Sequence, residues 1–214
     1  MKTNKKLILP AIITMIIYLI SYYIPQFTIS LDNAFIIKTS LDNCIKLYTP
    51  AVVVYLGSYF IWAYAIIVSM CQEKTFGYHL FKTIFIGSLI GLIIYMFLPT
   101  KVIRPEIIGN NIFDKICRII YKNDVPINAC PSFHCFISTF TIIVMIKAKG
   151  ISMFSRFFNC LFAVLIYAST LLTKQHYLVD VPCGILLCLF SYFISNKINL
   201  EILYEKINKI FNIK

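Results

Sequence analysis

Three short polar clusters interrupt an otherwise apolar chain, and their residue types suit the handling of phosphate. The first, 99–105, carries Lys101 and Arg104 ahead of Pro105. The second, 130–134, reads Cys130-Pro131-Ser132-Phe133-His134. The third, 173–180, carries Lys174, His176 and Asp180. Arginine grips a phosphate through a bidentate fork, and lysine acts on it as a point charge. Arg104, Lys174 and Lys101 are therefore candidate phosphate ligands. Ser132 and the backbone N–H groups of a helix opening at Phe133 would add donors, because a helix N-terminus attracts anions. His176 and Asp180 stand four residues apart, a spacing that places them on one helix face. A carboxylate so placed holds one imidazole nitrogen and leaves the other free to attack phosphorus. His134, from another segment, can protonate the leaving oxygen. Either histidine alone is more often a packed, capping or ion-paired residue. The catalytic reading rests on the three clusters meeting.

What must bring them together is a set of membrane helices. Only 14% of the 214 residues are charged, against about 25% in a water-soluble domain. The chain is 59% hydrophobic, with a mean hydropathy of +0.81. Six apolar runs approach the ~20 residues needed to cross a bilayer: 7–24, 51–70, 80–98, 133–146, 157–172 and 178–194. The runs are too long and continuous for the alternating strands of a membrane barrel. The expected fold is all-α, an integral membrane bundle of six transmembrane helices forming one membrane-embedded domain, residues 1–214. The N-terminal run lacks a small-residue cleavage site and reads as a retained first helix. Residues 27–49, where Ser-Leu-Asp-Asn occurs twice, read as amphipathic segments on the membrane surface with paired helix caps. Residues 99–131 form a long active-site loop, and 197–214 a basic cytoplasmic tail.

Parity puts the three clusters at one membrane face, since spans four and five leave that face and return to it. His79 falls at the opposite face and outside the site. With the N-terminus inside, Lys and Arg are biased towards the inner segments. The clusters then face the extracytoplasmic side. The net charge of +11 is taken up by this orientation and by anionic head groups, so no nucleic-acid partner is expected. No carboxylate cluster suited to Mg²⁺ appears, and no cysteine pair has zinc-site spacing. No metal and no cofactor is expected. Cys117 and Cys130 share one loop and would be able to pair there. Lys115, Arg118, Lys122, Glu106 and Asp124 read as ordinary loop residues, and Tyr177 as an interfacial aromatic.

The order Arg-Pro, Pro-Ser-x-His and His-x-x-x-Asp resembles the type 2 phosphatidic acid phosphatase superfamily, across most of the chain. The resemblance implies that His176 is the nucleophile, forming a phosphohistidine, that Asp180 orients it, and that His134 is the general acid. Phe97, Phe133 and Thr170 stand where that family often has Lys, Gly and Arg. Lys101 and Lys174 are candidates to supply the missing charge. The Lys-Gln-His-Tyr-x-x-Asp form is similar to the branch holding sphingomyelin synthases and inositol phosphorylceramide synthases. The expected activity is a metal-independent lipid phosphate phosphatase of the cell membrane, acting on a phosphomonoester or diphosphate in the bilayer. The alternatives are head-group transfer, a transporter or binder of lipid phosphate without chemistry, and an inactive member of the family.

Overall fold

The computed structural model describes residues 2–198 and 200–210. Its regular elements are helical: α1 (Ile8–Thr28), α2 (Val52–Met70), α3 (Lys74–Phe97), α4 (Ile112–Asn123), α5 (Phe133–Lys147), α6 (Met153–Leu172), α7 (Asp180–Ser195) and α8 (Glu201–Ile210). Among the described residues only isolated bridges, Phe35 to Thr100 and Lys101 to Ile127, are of β type. The all-α reading holds.

Four stretches are long and apolar enough to cross a bilayer: Lys5–Thr28, Thr49–Met70, Lys74–Phe97 and Met153–Leu172. The expected count of six is not reached on length. α5 has 15 residues and α7 has 16, about 22–24 Å at 1.5 Å per residue against a hydrocarbon core of ~30 Å. α5 is buried almost all round, whereas α7 buries one face and exposes Leu186, Phe190 and Phe193 on the other. α5 packs on α2, α6 and α7, and α7 also packs on α3. The aromatic core they share includes Phe133, Phe136, Phe140 and Tyr95. Rings this large fit beside α3 because Gly87 and Gly91 lack a side chain. A Cβ there would lie 2.3 Å from the Phe136 and Phe133 rings respectively. Large apolar side chains such as Phe60, Phe97, Phe154 and Phe193 point outward, as lipid contact requires. Several hydroxyls inside the helices bond back to their own turns, as Ser69 Oγ does to Ala65 O at 2.8 Å, whereas those of Ser88 and Ser191 are buried without a partner.

The first helix runs on through Pro25 to Thr28, four residues past the sequence boundary. The two Ser-Leu-Asp-Asn repeats form short 3-10 turns, Leu31–Asn33 and Ser40–Asn43, joined by extended chain rather than an amphipathic helix. Ser30 caps the first turn. The second has a capping box, but it is built from Thr39 with Asp42. The long loop holds a helix of its own, α4, opened by the reciprocal Asn111–Asp114 box. Cys117 in α4 is buried, and its thiol donates to Thr49 O at 3.7 Å. It and Cys130 are both free thiols, which corrects the suggested pairing. In the tail, α8 docks its Tyr204 against Leu7, Ala11, Tyr78 and Phe81. Phe211 and Lys214, counted with the tail, lie outside the described residues.

The ends of α1, α3 and α6 and the starts of α2, α5 and α7 gather at one face, which carries the three polar clusters. His79 lies at the other end, its Nδ1 2.8 Å from Ser195 Oγ.

Candidate active site

Backbone ties converge the clusters before any side chain does. Thr100 Oγ1 accepts from Cys130 N at 2.7 Å, and Thr100 O from Ala129 N at 3.3 Å. Tyr95 Oη donates to Pro131 O at 2.5 Å. Ser132 N donates to Asp180 O at 3.1 Å, joining the first turns of α5 and α7. Gly184, one turn into α7, allows that join, since a Cβ there would lie 2.3 Å from Ser132 O.

His176 does not sit on α7. It lies in the turn before it, so the i, i+4 relation works differently from the helix-face reading. Asp180 opens the helix, and its Oδ2 accepts from Tyr177 N at 2.8 Å. That bond folds the carboxylate back to His176 Nδ1 at 3.2 Å. The same Nδ1 is 2.9 Å from Ala129 O. Both neighbours are acceptors, so Nδ1 carries the proton and Nε2 of the neutral ring carries the lone pair.

His134 stands on the second residue of α5, with its ring centroid 5.8 Å from that of His176. It stacks on Tyr55 at 4.4 Å and lies 5.2 Å from Trp62. The ring is buried and its Nε2 has no hydrogen-bond partner. Leaving such an atom unmet costs about 1–3 kcal/mol. Arg104 Nε and Asn128 Oδ1 are also buried without partners, and all three residues wall one small cavity with His176, Tyr22, Tyr55, Asp124 and Gln175. Asn128 takes a left-handed backbone, φ 61°, a conformation that costs a non-glycine residue about 1–2 kcal/mol.

Arg104 is the one Lys or Arg among the residues lining this cavity. Its guanidinium is engaged on every side but one. It donates to Asp124 O at 2.6 Å, to Asp124 Oδ2 at 3.1 Å and to Gln175 Oε1, and it lies over the Tyr121 ring. Asp124 Oδ1 accepts from Tyr22 Oη at 2.6 Å. The carboxylate therefore holds the arginine edge that a phosphate would take. The cavity measures about 10 Å³, roughly one water's minimum and no more.

Other sequence candidates fall outside this group. Lys174, at φ 54°, turns the chain so that Gln175 N and His176 N both donate to Thr170 O. Its amine points away and donates to Asp42 O at 3.2 Å and to Ile45 O. Burial lowers its pKa, opposed by Asp42 and reinforced by Lys38. Lys101 donates to Leu31 O at 2.6 Å on the exterior. Phe97 is exposed. Ser132 caps α5, accepting from Cys135 N at 3.3 Å. The Phe133 ring stacks on Tyr18 and packs at a tilt against Tyr95, so of this residue only the backbone N–H, at the first position of α5, is of a kind that can serve an anion. Cys130 lies against Asp180. Burial first, then that charge and Cys183, push its thiol pKa well up, so it stays protonated.

Asp124, Gln175, Asn128, Tyr22 and Tyr55 were not legible as site residues. Asp124 is one of three acids, with Glu106 and Asp114, in a loop with five Lys and Arg residues, so composition did not single it out. Tyr177 is buried rather than interfacial, its Oη accepting from Ile103 N at 3.0 Å.

No curated protein and no solved structure matches the chain. A family model, described as the PAP2 superfamily, matches residues 28–194, a stretch that holds Arg104, His134, His176 and Asp180 with the helices that carry them. The chain belongs to the PAP2 superfamily, that of the type 2 phosphatidic acid phosphatases.

Proposed function

We propose that this chain is a membrane enzyme that removes the phosphoryl group of a lipid phosphate through a phosphohistidine on His176. Family membership supports phosphatase- or phosphotransferase-type chemistry on a lipid phosphate in general. The observation that carries the finer reading is the pair of imidazoles. One has its Nδ1 proton held by Asp180 and Ala129. The other is buried with an unpartnered Nε2, its ring 5.8 Å away.

In the first step His176 Nε2 donates its lone pair to phosphorus, a P–N bond forms and the ester P–O bond breaks. The departing oxygen takes the proton of His134, which enters the step protonated and leaves it neutral. Charge gathering on the phosphoryl oxygens is met by Arg104 and by the N–H groups that open α5. In the second step water attacks phosphorus, His134 accepts its proton, and the P–N bond breaks to release phosphate and restore His176. Asp180 stabilises the His176 ring while it bears charge. For Arg104 to meet substrate, Asp124 has to give up its guanidinium contact. Lys101 and Lys174 are left out of this scheme, since both amines bond elsewhere. The cation bias favours the extracytoplasmic side of the cell membrane for the site.

The test is phosphate release by detergent-purified protein from phosphatidate, phosphatidylglycerophosphate and polyprenyl diphosphate, with and without chelator. Labelled substrate, quenched in alkali, is expected to leave phosphate on His176. Release of phosphate by His176→Ala at the wild-type rate, or turnover that stops with chelator, would overturn the mechanism. Appearance of label on an added alcohol in place of free phosphate would identify transfer.

A further inference from the structure

Three cavities lie in series along the crevice between α1 and α2. The phosphate cavity is walled in part by Tyr22, Tyr55 and Asp124. The same three residues wall a second cavity of about 220 Å³, which extends to Leu56 and Tyr59. Tyr59 in turn walls a third, about 450 Å³, between Met15 and Leu19 of α1 and Trp62, Ala63 and Ile67 of α2. Shared walls place the three cavities one after another, from the imidazoles along the crevice to the half-exposed Leu19 and Ile67.

The crevice exists because α1 and α2 pack on different partners. α1 lies along α3 and α2 along α5 and α6, while α1 and α2 touch each other only slightly. Its polarity is graded. The end near the site has Asp124 and Tyr22, whereas the far cavity is almost wholly apolar. The polar N–H of Trp62 there is already spent on Ser138 Oγ at 3.1 Å. Twelve residues separate Tyr55 from Ile67 on α2, about 18 Å of descent, over half of a ~30 Å hydrocarbon core. A methylene takes about the ~30 Å³ that a water does in the liquid, so the far cavity holds roughly fifteen. An apolar hollow at that depth, in line with a polar cavity that holds the imidazoles and Arg104, fits one occupant.

Resting on the function proposed above, we infer that the α1–α2 crevice is the substrate's lateral port and chain groove. One hydrocarbon chain of the lipid phosphate lies against Leu19 and Ile67, and its phosphate passes Tyr59 and the Tyr22–Tyr55 neck to reach Arg104 and His176. A second chain, where the lipid has one, stays in the bilayer. The groove makes the enzyme selective for long-chain phosphates over short ones of the same head group.

Two experiments test this. Ala63 faces the groove and is exposed, so Ala63→Trp fills the hollow without disturbing the core. Comparing dioleoyl with dihexanoyl phosphatidate, the ratio of kcat/KM values is expected to fall about tenfold, the loss of some two buried methylenes. Val164→Trp, on the outward face of α6, is the control and keeps the wild-type ratio. An unchanged ratio in Ala63→Trp overturns the groove. Independently of turnover, phosphatidate with a diazirine near its chain end is photolysed with the wild-type protein in nanodiscs. Label concentrated around Leu19 and Ile67 supports the groove, and label spread over the outer faces of α6 and α7 overturns it. Failure of all substrates to turn over would sink the proposed reaction while leaving this readout intact.

Discussion

Asp124→Asn is the perturbation that separates an occupied arginine from an available one. In the structure the Asp124 carboxylate holds Arg104 at 3.1 Å and is itself held by Tyr22 at 2.6 Å. The pair is largely shielded, with 9% and 23% of the two side chains exposed. A charge-assisted hydrogen bond in such a setting contributes about 1.5–3 kcal/mol. An incoming phosphate has to displace it, so the same energy is subtracted from substrate affinity. The amide retains the shape, an acceptor for Tyr22 and the backbone carbonyl that binds Arg104 at 2.6 Å, but it loses the competing charge. Affinity for a phosphate analogue should therefore rise by about ten- to a hundredfold, at 1.4 kcal/mol per tenfold. The assay is the inhibition constant of orthovanadate against hydrolysis of a lipid phosphate, with Tm recorded alongside. A vanadate affinity equal to or weaker than wild type, at unchanged Tm, refutes the view that Asp124 stands in the phosphate's place. It would show that the carboxylate instead holds Arg104 in position.

Further outcomes follow from other parts of the site. His134→Ala should slow release from an alkyl phosphate by about 10²–10⁴-fold. It should slow an aryl phosphate, whose leaving oxygen needs no proton, far less; equal losses on both would remove His134 as the acid. Gly184→Ala places a methyl 2.3 Å from Ser132 O, an overpacking worth about 1–3 kcal/mol. Because the strained contact joins α5 to α7, kcat should fall even below the melting range, and an unaltered kcat with lowered Tm would count against that coupling. Asp42 binds Leu178 N through Oδ1 and Thr39 through Oδ2, each at 2.7 Å. Burial alone would raise its pKa, but the Thr39 and Leu178 bonds and the Lys174 charge bring it below its ordinary value. A carboxyl depressed in the folded state contributes stability that is complete above its unfolded pKa, about 3.9, and lost as pH falls through the lower folded value. Asp42→Asn should thus reduce stability by about 1–3 kcal/mol at neutral pH and flatten the acid limb of a Tm–pH profile. A mutant whose acid limb matches wild type would show that Asp42 contributes nothing there.

The membrane helices were legible because lipid imposes a length and a composition that few other settings share. Parity then placed His134 and His176 at one face without any knowledge of packing, and their rings do meet. The lengths of α5 and α7 were read to within two residues, whereas α3 and α6 begin at Lys74 and Met153, several residues before the apolar runs that marked them, because their first turns carry polar residues such as Lys74 and Arg156. Lys174 shows the limit of sequence distance. It stands two residues from His176, yet a left-handed backbone at Lys174 sends the two side chains apart, and carbonyls more than a hundred residues earlier in the chain take the amine. Asp124 shows the converse. It follows α4 and meets Arg104 twenty residues upstream only because that helix folds back over the site. Its type and position alone do not disclose that return. Thr170, where the family often has Arg, proved to be a backbone anchor for the turn holding His176.

The stack around His134 has an optical consequence. Trp62 is the chain's only tryptophan, and its ring lies 5.2 Å from the His134 ring while also walling the chain groove. All indole emission therefore originates at the junction of imidazole and hydrocarbon. A protonated imidazole quenches excited indole, and hydrocarbon contact shifts its spectrum to the blue. Ligand arrival and proton uptake should then be separable by stopped-flow fluorescence in the unlabelled protein.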